Sequence, residues 1–456
     1  MTHSLSRYRR EYTDLIRLGL PVIITNMGIV MVAFADTLMV GRYGTRELGA
    51  AAFVNSIFIL ATVMLVGLAG GITPLVGRLY GRRDNHGVGA YMRAGVRVNI
   101  AVSLLFTAIL GGLYFFLDRL GQPDELLPLV RPYYLVMLAT LVPSALFNAL
   151  QQTSNGCTDT STPMWIIVGA NSLNVLGNWL LIGGELGFPR LGLLGAGIST
   201  LTARIVGALA MMAVYRFSAR RREFVEGWRI ARSDGKRREV EREVWLTSYP
   251  VMLQSGIECF LWSFGGVVCG WFGTIQLASF QVVNTISQLA FMTYIGMGVA
   301  ISVRVANFAG TSNFEAMRRI SSAGLHINLV LATIFSCVYY LSFRTLVHFF
   351  TPDEAVIIGA LPLVFPLILY QYCDSIQLTF ANALRGTSVV RPLLWVALGS
   401  YLCVGVPSML LLAVGCDLGN AGVYYSFNIA LLVAAVAFSI FFRRTLSRMA
   451  AGMPKH

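Results

Sequence analysis

Three carboxylic acids, Asp36, Glu258 and Asp374, lie inside apolar runs long enough to cross a lipid bilayer. An ionised group at that depth costs at least ~2.5–3.5 kcal/mol, so an acid held there reads as part of a pathway for protons, cations or substrate. Two of the acids come with polar company. Helical spacing puts Tyr370, Gln371 and Gln377 at i−4, i−3 and i+3 from Asp374, and Gln254 and Ser255 at i−4 and i−3 from Glu258. Pro362 and Pro366 precede Asp374, and Pro250 precedes Glu258. A proline there removes a backbone hydrogen bond and bends the helix, leaving carbonyl oxygens to face a cavity. Such a pair of carboxylates titrates as one coupled unit and can hold a proton or a cation such as Na⁺.

Asp36 lies toward the outer end of the first apolar run, and its one-carbon stem reaches the interface less readily than a lysine would. Asn171, Asn174 and Asn178 recur in the fifth run, with Asn148 in the fourth and Thr200 and Thr202 in the sixth as further polar groups. Amides of this kind serve equally as glue between helices. Arg204 is the cation placed well inside a run, with an acid or helix-end carbonyls as its expected partner. The histidines, His3, His86, His326, His348 and His456, are scattered, and HExxH, GxSxG and P-loop patterns are absent. No enzyme chemistry and no cofactor are therefore expected. The seven cysteines include no CxxC pair and read as small hydrophobes packed between helices.

The elements that must position these groups are membrane helices. The chain has 456 residues, is 56% hydrophobic and 12% charged, and has a mean hydropathy of +0.67. Ordinary soluble domains carry about 25% charged residues. Twelve apolar runs each suffice for a bilayer core of ~30 Å at about 20 residues per helix. The first of them, from Leu15, is too long for a signal peptide and reads as a retained helix. The net charge of +13 sits mainly in 7–17, 78–97, 216–242, 318–319 and 443–455, which are the ends of the chain and the even-numbered loops. The positive-inside rule then puts both termini in the cytoplasm, and makes lipid headgroups, not nucleic acid, the partner of the basic residues. Short termini and small loops suit a bacterial inner (plasma) membrane.

The polar stretch 216–243 divides the runs six and six. Sliding the second half over the first by 229 positions gives a gapless match of 21–81 with 250–310, in which 15 of 61 residues are identical. Pro21 pairs with Pro250, Gly67 with Gly296 and Asn55 with Asn284; the same shift later pairs Pro163 with Pro392. Six runs per repeat give both repeats the same orientation, related by an axis along the membrane normal with a cavity between them. The expected fold is thus all-α and integral to the membrane, with 1–215 an N-terminal six-helix bundle, 216–243 a basic linker and 244–456 a C-terminal six-helix bundle.

The run FADTLMVGRYGTRELGAAAF at 34–53 resembles the first signature of the multidrug and toxic compound extrusion (MATE) transporters. The resemblance extends over essentially the whole chain: the two opening prolines, Gly77 and Gly81, NGCTDTSTP ending at Pro163, and GELGFPRLGLLGAGIST between the fifth and sixth runs. NorM-type members of that family carry an acid in helix 1, a Glu in helix 7 and an Asp in helix 10, which Asp36, Glu258 and Asp374 match. The resemblance also implies that Asn174 and Asn178 partner the helix-1 acid and that Tyr294 lines the C-terminal cation site. Two positions depart from the family's pattern: Gly296 stands where a proline is expected, and Asn178 where some relatives carry Asp.

The function this implies is a monomeric Na⁺- or H⁺-coupled antiporter that exports organic, mainly cationic amphipathic compounds by alternating access. The coupling ion, with Na⁺ placed at Glu258 and Asp374 if it is the ion, competes with the drug for the buried carboxylates. Tyr294 and Tyr370 would offer cation–π contacts, and Gln254, Ser255, Asn284, Gln371, Gln377, Asn174, Asn178 and Thr202 complete the candidate cavity lining. The alternative is a flippase for lipid-linked oligosaccharides. Its pyrophosphate calls for buried cations, and here three acids face Arg204 alone.

Overall fold

The computed structural model describes residues 8–121, 123–218, 221–230 and 237–452. The far ends of the chain, with His3 and His456, and positions 219–220 and 231–236 of the basic linker lie outside the described residues. All regular structure among the described residues is helical. Twelve helices are long and apolar enough to cross a membrane: α1 Arg9–Tyr43, α2 Thr45–Gly81, α3 Asn85–Arg119, α4 Leu127–Gly156, α5 Ser161–Gly183, α6 Leu193–Phe217, α7 Arg237–Trp271, α8 Thr274–Gly310, α9 Phe314–Phe350, α10 Glu354–Gly386, α11 Arg391–Gly415 and α12 Gly419–Ala450. Large apolar side chains such as Ile109, Phe365 and Trp395 stand exposed on their outer faces, as a lipid solvent requires.

The internal repeat is visible in local geometry. Arg83 and Ser312, 229 positions apart, both adopt left-handed backbone, with φ of 62° and 55°. Each is followed by a cap: the Asp84 carboxylate accepts from the Gly87 amide at 2.8 Å to start α3, and the Asn313 side chain accepts from the Ala316 amide at 3.0 Å to start α9. These short polar side chains satisfy amides that a helix start leaves open. Pro21 and Pro250 both sit inside continuous helices. Around Pro362, α10 tightens into a 3₁₀ turn over Leu361–Leu363, the local irregularity its prolines predict. On either side of Pro407, α11 widens into π turns over Leu398–Gly405 and Leu410–Gly415, which the sequence reading did not anticipate.

By packing, the chain forms two compact units, one made of the described residues of 1–23 and 253–456, the other of 24–252. In the first, α10 packs against α8, α9 and α12, and the start of α1 lies on α8 and α9 through Leu15 and Leu18, which share a core with Met297, Ile301, Met317 and Phe442. In the second, α4 packs against α2, α3 and α6. The basic linker contributes a helix, Arg222–Ile230, that lies on the start of α3. The approach needs glycine on both sides: a Cβ at Gly89 would stand 2.1 Å from the Phe224 carbonyl oxygen, and one at Gly227 would stand 2.2 Å from that of His86. Arg221, buried at the head of this helix, pairs with Asp159 and donates to the Ser154 hydroxyl at 3.1 Å. The described part of the linker is therefore docked structure.

Candidate functional site

Within the unit that holds the C-terminal repeat, Glu258 on α7 and Asp374 on α10 interact electrostatically, as their sequence context predicts. Asp374 is fully buried. Neither of its carboxylate oxygens has a hydrogen-bond partner, and the same holds for one oxygen of Glu258 and for the side-chain oxygens of Gln254 and Gln377. The Tyr370 hydroxyl, one turn before Asp374, is a polar neighbour of the acid. Five buried acceptor oxygens without a protein amide donor gather here, a field that a cation or a proton can satisfy.

The surrounding polar groups are fixed by bonds to one another. Gln371 accepts from the Tyr294 hydroxyl at 3.1 Å and donates to the Ser287 hydroxyl at 3.4 Å. Gln377 donates its amide to the Tyr401 hydroxyl on α11 at 2.8 Å, which leaves the amide oxygen as an acceptor. Asn428 on α12 donates to the Pro366 carbonyl at 3.0 Å. Trp262 stands edge-on to Tyr370, ring centres 5.3 Å apart, and packs on Phe427 at 4.0 Å. Tyr294 is fully buried and Tyr370 nearly so, so in this conformation both rings act as packing for the site. Ser255 and Asn284 are half-buried.

Three groups escaped the sequence reading. Arg385, three turns beyond Asp374 on α10, interacts electrostatically with Glu258. Tyr401 and Trp262 lie within apolar runs, where one supplies a hydroxyl and the other the wall beside Tyr370. Among the described residues no three His, Cys, Asp or Glu side chains converge as a metal cluster.

In the unit made of 24–252, Asp36 sits against the amides of α5. Asn178, fully buried, donates to its carboxylate at 2.5 Å. With its amide oriented to satisfy both ends, Asn174 donates to the same oxygen at 3.0 Å while accepting from the Thr200 hydroxyl at 3.1 Å and the Thr200 amide at 3.2 Å. Arg204 interacts with Asp36 electrostatically. Tyr133 on α4, a group the sequence did not single out, faces Asp36 and Asn55. Thr200, rather than Thr202, joins the cluster: Thr202 is exposed and returns its hydroxyl to the Ile198 carbonyl of its own helix at 2.8 Å. Asn171 lies beside Gly28 of α1 with its amide nitrogen unbonded.

The two clusters therefore differ in kind. Asp36 takes hydrogen bonds from two asparagine amides, whereas Glu258 interacts with Arg385 and the Asp374 carboxylate has the Tyr370 hydroxyl beside it.

Comparison with known proteins agrees with this architecture. The MatE family profile matches the chain twice, over residues 21–180 and 250–411, one match in each repeat. A probable multidrug resistance protein NorM of Bradyrhizobium diazoefficiens is 26% identical over 445 residues, covering 96% of this chain and 94% of that protein. A multidrug resistance protein NorM of Aliivibrio fischeri is 27% identical over 407 residues, covering 89% and 87%. The fold matches the crystal structure of the eukaryotic MATE transporter AtDTX14 with a TM-score of 0.86, at 18% identity over 97% of this chain and 99% of the other. It also matches an outward-facing multidrug resistance MATE transporter of the MOP superfamily with a TM-score of 0.84, at 21% identity over 97% of each chain. Twelve membrane helices, a doubled sequence and two family matches in register with that doubling make this chain a member of the MatE family of multidrug efflux transporters, of NorM type.

Proposed function

We propose that the protein is a secondary antiporter that exports organic, mainly cationic and amphipathic compounds by alternating access, driven by inward flow of Na⁺ or H⁺. The observation that carries this reading is the set of unbonded acceptor oxygens around Glu258 and Asp374. A cationic drug and a coupling cation both seek that field, and binding of either disfavours the other, which is the coupling free energy that exchange requires. Asp36, held by two asparagines, serves as a second protonatable group. A pyrophosphate-bearing lipid would need donors where this site presents acceptors, which favours the antiporter over the flippase. The protein works as a monomer in the bacterial inner membrane with both termini in the cytoplasm, and its basic loops lie against lipid headgroups.

Counterflow in proteoliposomes tests this directly. Ethidium is loaded, and a Na⁺ gradient and a pH gradient are imposed in separate experiments. Exchange should follow one of the gradients, and Glu258→Gln or Asp374→Asn should lower it by about 10²-fold or more, as loss of a coupling charge does when an interaction of about 2.7 kcal/mol is removed. Efflux indifferent to both gradients would defeat the antiporter reading. Full activity in both variants would move the site elsewhere.

A further inference from the structure

Arg385 is a charged group that the proposed exchange leaves unused. It stands in the last turn of α10, and Asp374 lies eleven positions before it in the same unit. Eleven residues advance an α-helix by about 16 Å and bring it back to within about 20° of the same direction, so the acid and the arginine share one face of α10. Between them on that face lie Leu378 and Ala381, both buried and apolar. Helix side chains lean toward the N-terminal end, which turns the arginine back toward the acids rather than out past the end of the helix.

The ordinary duty of a cation in a last turn is to answer the carbonyls that the helix leaves open. Here two of those carbonyls already have donors. The Leu384 carbonyl accepts from the Thr387 amide at 3.1 Å and from the Thr387 hydroxyl at 2.7 Å, and the Arg385 carbonyl accepts from the Ser388 amide at 2.9 Å. The backbone that carries the arginine is also pinned against α8: a Cβ at Gly386 would stand 2.7 Å from the Ser302 carbonyl oxygen, and one at Gly298 would stand 2.5 Å from Asn382 Nδ2. A helix end so placed holds the charge at a fixed distance from the site.

The arginine is left short of a partner on the side of Glu258. Its Nε is buried and has no acceptor among the described residues, while one buried oxygen of Glu258 has no hydrogen-bond partner. The two side chains act on each other electrostatically, yet no hydrogen bond joins them. An open donor on a cation and an open acceptor on an acid thus face one field from two helices, with room in charge for a third party.

We propose that Arg385 is a positioning residue for exchange: a tethered cation that supplies the charge Glu258 needs when the site holds neither ion nor drug, and so sets how tightly Glu258 keeps the cation it binds. Two buried carboxylates alone would hold a cation firmly and release it slowly. The tethered charge opposes a bound cation and favours the empty site through one and the same interaction, so affinity falls and release quickens. Arginine suits this use because its guanidinium stays charged where a lysine can lose its proton. Leu378 and Ala381 keep it from filling the place of the exchanged cation beside Asp374.

The proposal rests on the antiporter reading for the site and its ligand, and equilibrium binding separates the two. Ethidium binding to the purified protein in detergent is followed by fluorescence anisotropy at pH 8, where protons compete little. Arg385→Gln should bind ethidium at least about fivefold more tightly than the native protein, and Arg385→Lys, which keeps the charge, should stay within about twofold of it. Arg385→Met, which keeps the apolar stem, is a second neutral variant and should match Arg385→Gln. In a Glu258→Gln background the loss of the arginine should leave affinity unchanged, because the arginine acts through that acid. In proteoliposomes Arg385→Gln should lower KM and kcat for ethidium counterflow together, the signature of a ligand held too firmly. Neutral variants that bind no more tightly than the native protein would overturn the proposal, as would the same gain in the Glu258→Gln background. Native protein that binds ethidium but shows no gradient-driven counterflow would instead defeat the antiporter reading, and the binding measurements would still judge the arginine.

Discussion

Asp36 and Asp374 are both aspartates at membrane depth, yet their oxygens meet opposite chemistry. Asn178 and Asn174 give Asp36 amide donors, whereas no amide reaches Asp374 and its polar neighbour is the Tyr370 hydroxyl. Removing the donor in Asn178→Leu should therefore destabilise the protein by about 1–3 kcal/mol, read as a lower thermal midpoint in detergent. Adding Asp36→Asn should recover part of that loss, because a neutral amide is cheaper than an unpaired acid to leave buried; additive losses would show the two side chains to be uncoupled. Cys157 is a buried thiol that lies outside the membrane-crossing helices. It lies between α4 and α5, and burial pushes it up to about 12, past the opposing pull of Arg221. Its folded form is thus the neutral thiol at every pH below about 12, and maleimide at pH 8 should leave it unmodified while exposed Cys416, just past the end of α11, reacts, as counted by mass spectrometry. The acids were legible in the sequence because an apolar context makes a carboxylate conspicuous. Arg385 was not, because RGTS at the end of α10 reads as an interfacial turn. Thr200 and Thr202 were indistinguishable since two residues turn a helix through about 200°, and only the packing of α5 on α6 decides which face meets Asn174.

At the scale of elements, the close approach of α1 to α8 explains why glycine occupies position 296. A Cβ there would stand 2.4 Å from Ile23 Cγ1 and 2.9 Å from the Ile23 backbone nitrogen. Gly296→Ala should therefore cost about 1–3 kcal/mol through overpacking. Trimming the opposing side chain with Ile23→Ala should return only the part due to Cγ1, because the backbone nitrogen cannot retreat. A full rescue measured by thermal unfolding would mean that α1 shifts as a body. The expected proline kink in α8 is thus replaced by a glycine contact, while irregularity appears instead in α10 and as π turns in α11. The twelve helices were legible from length and hydropathy, because a bilayer imposes one period and one minimum length on every crossing. The π turns were not. They flank Pro407, whose missing N–H interrupts the helical ladder, and both pack against α12, but a proline alone does not say that the ladder widens rather than tightens.

For the whole molecule, the repeat predicts two equivalent halves, and the packing adds that each unit is completed by residues from the other half. The N-terminal half expressed alone, as 1–230, lacks Val244, which closes a core with Leu75 and Ala94. It should fail to accumulate as a folded species, and co-expression with 237–456 should rescue both fragments, as read by size-exclusion chromatography of a tagged partner. Independent folding of either fragment would show that the exchanged turns are dispensable. The docked linker helix belongs wholly to the unit of 24–252, so the loop that separates the repeats in sequence is not what joins the units. That role falls to the two helical crossings after Ile23 and Met252. Such an exchange has a natural origin in a domain-swapped dimer. An ancestral six-helix chain that lent its first turns to an identical copy, and took the copy's turns in return, would on gene duplication and fusion leave two equivalent crossing points 229 residues apart, and the present chain preserves both sides of that trade within one polypeptide.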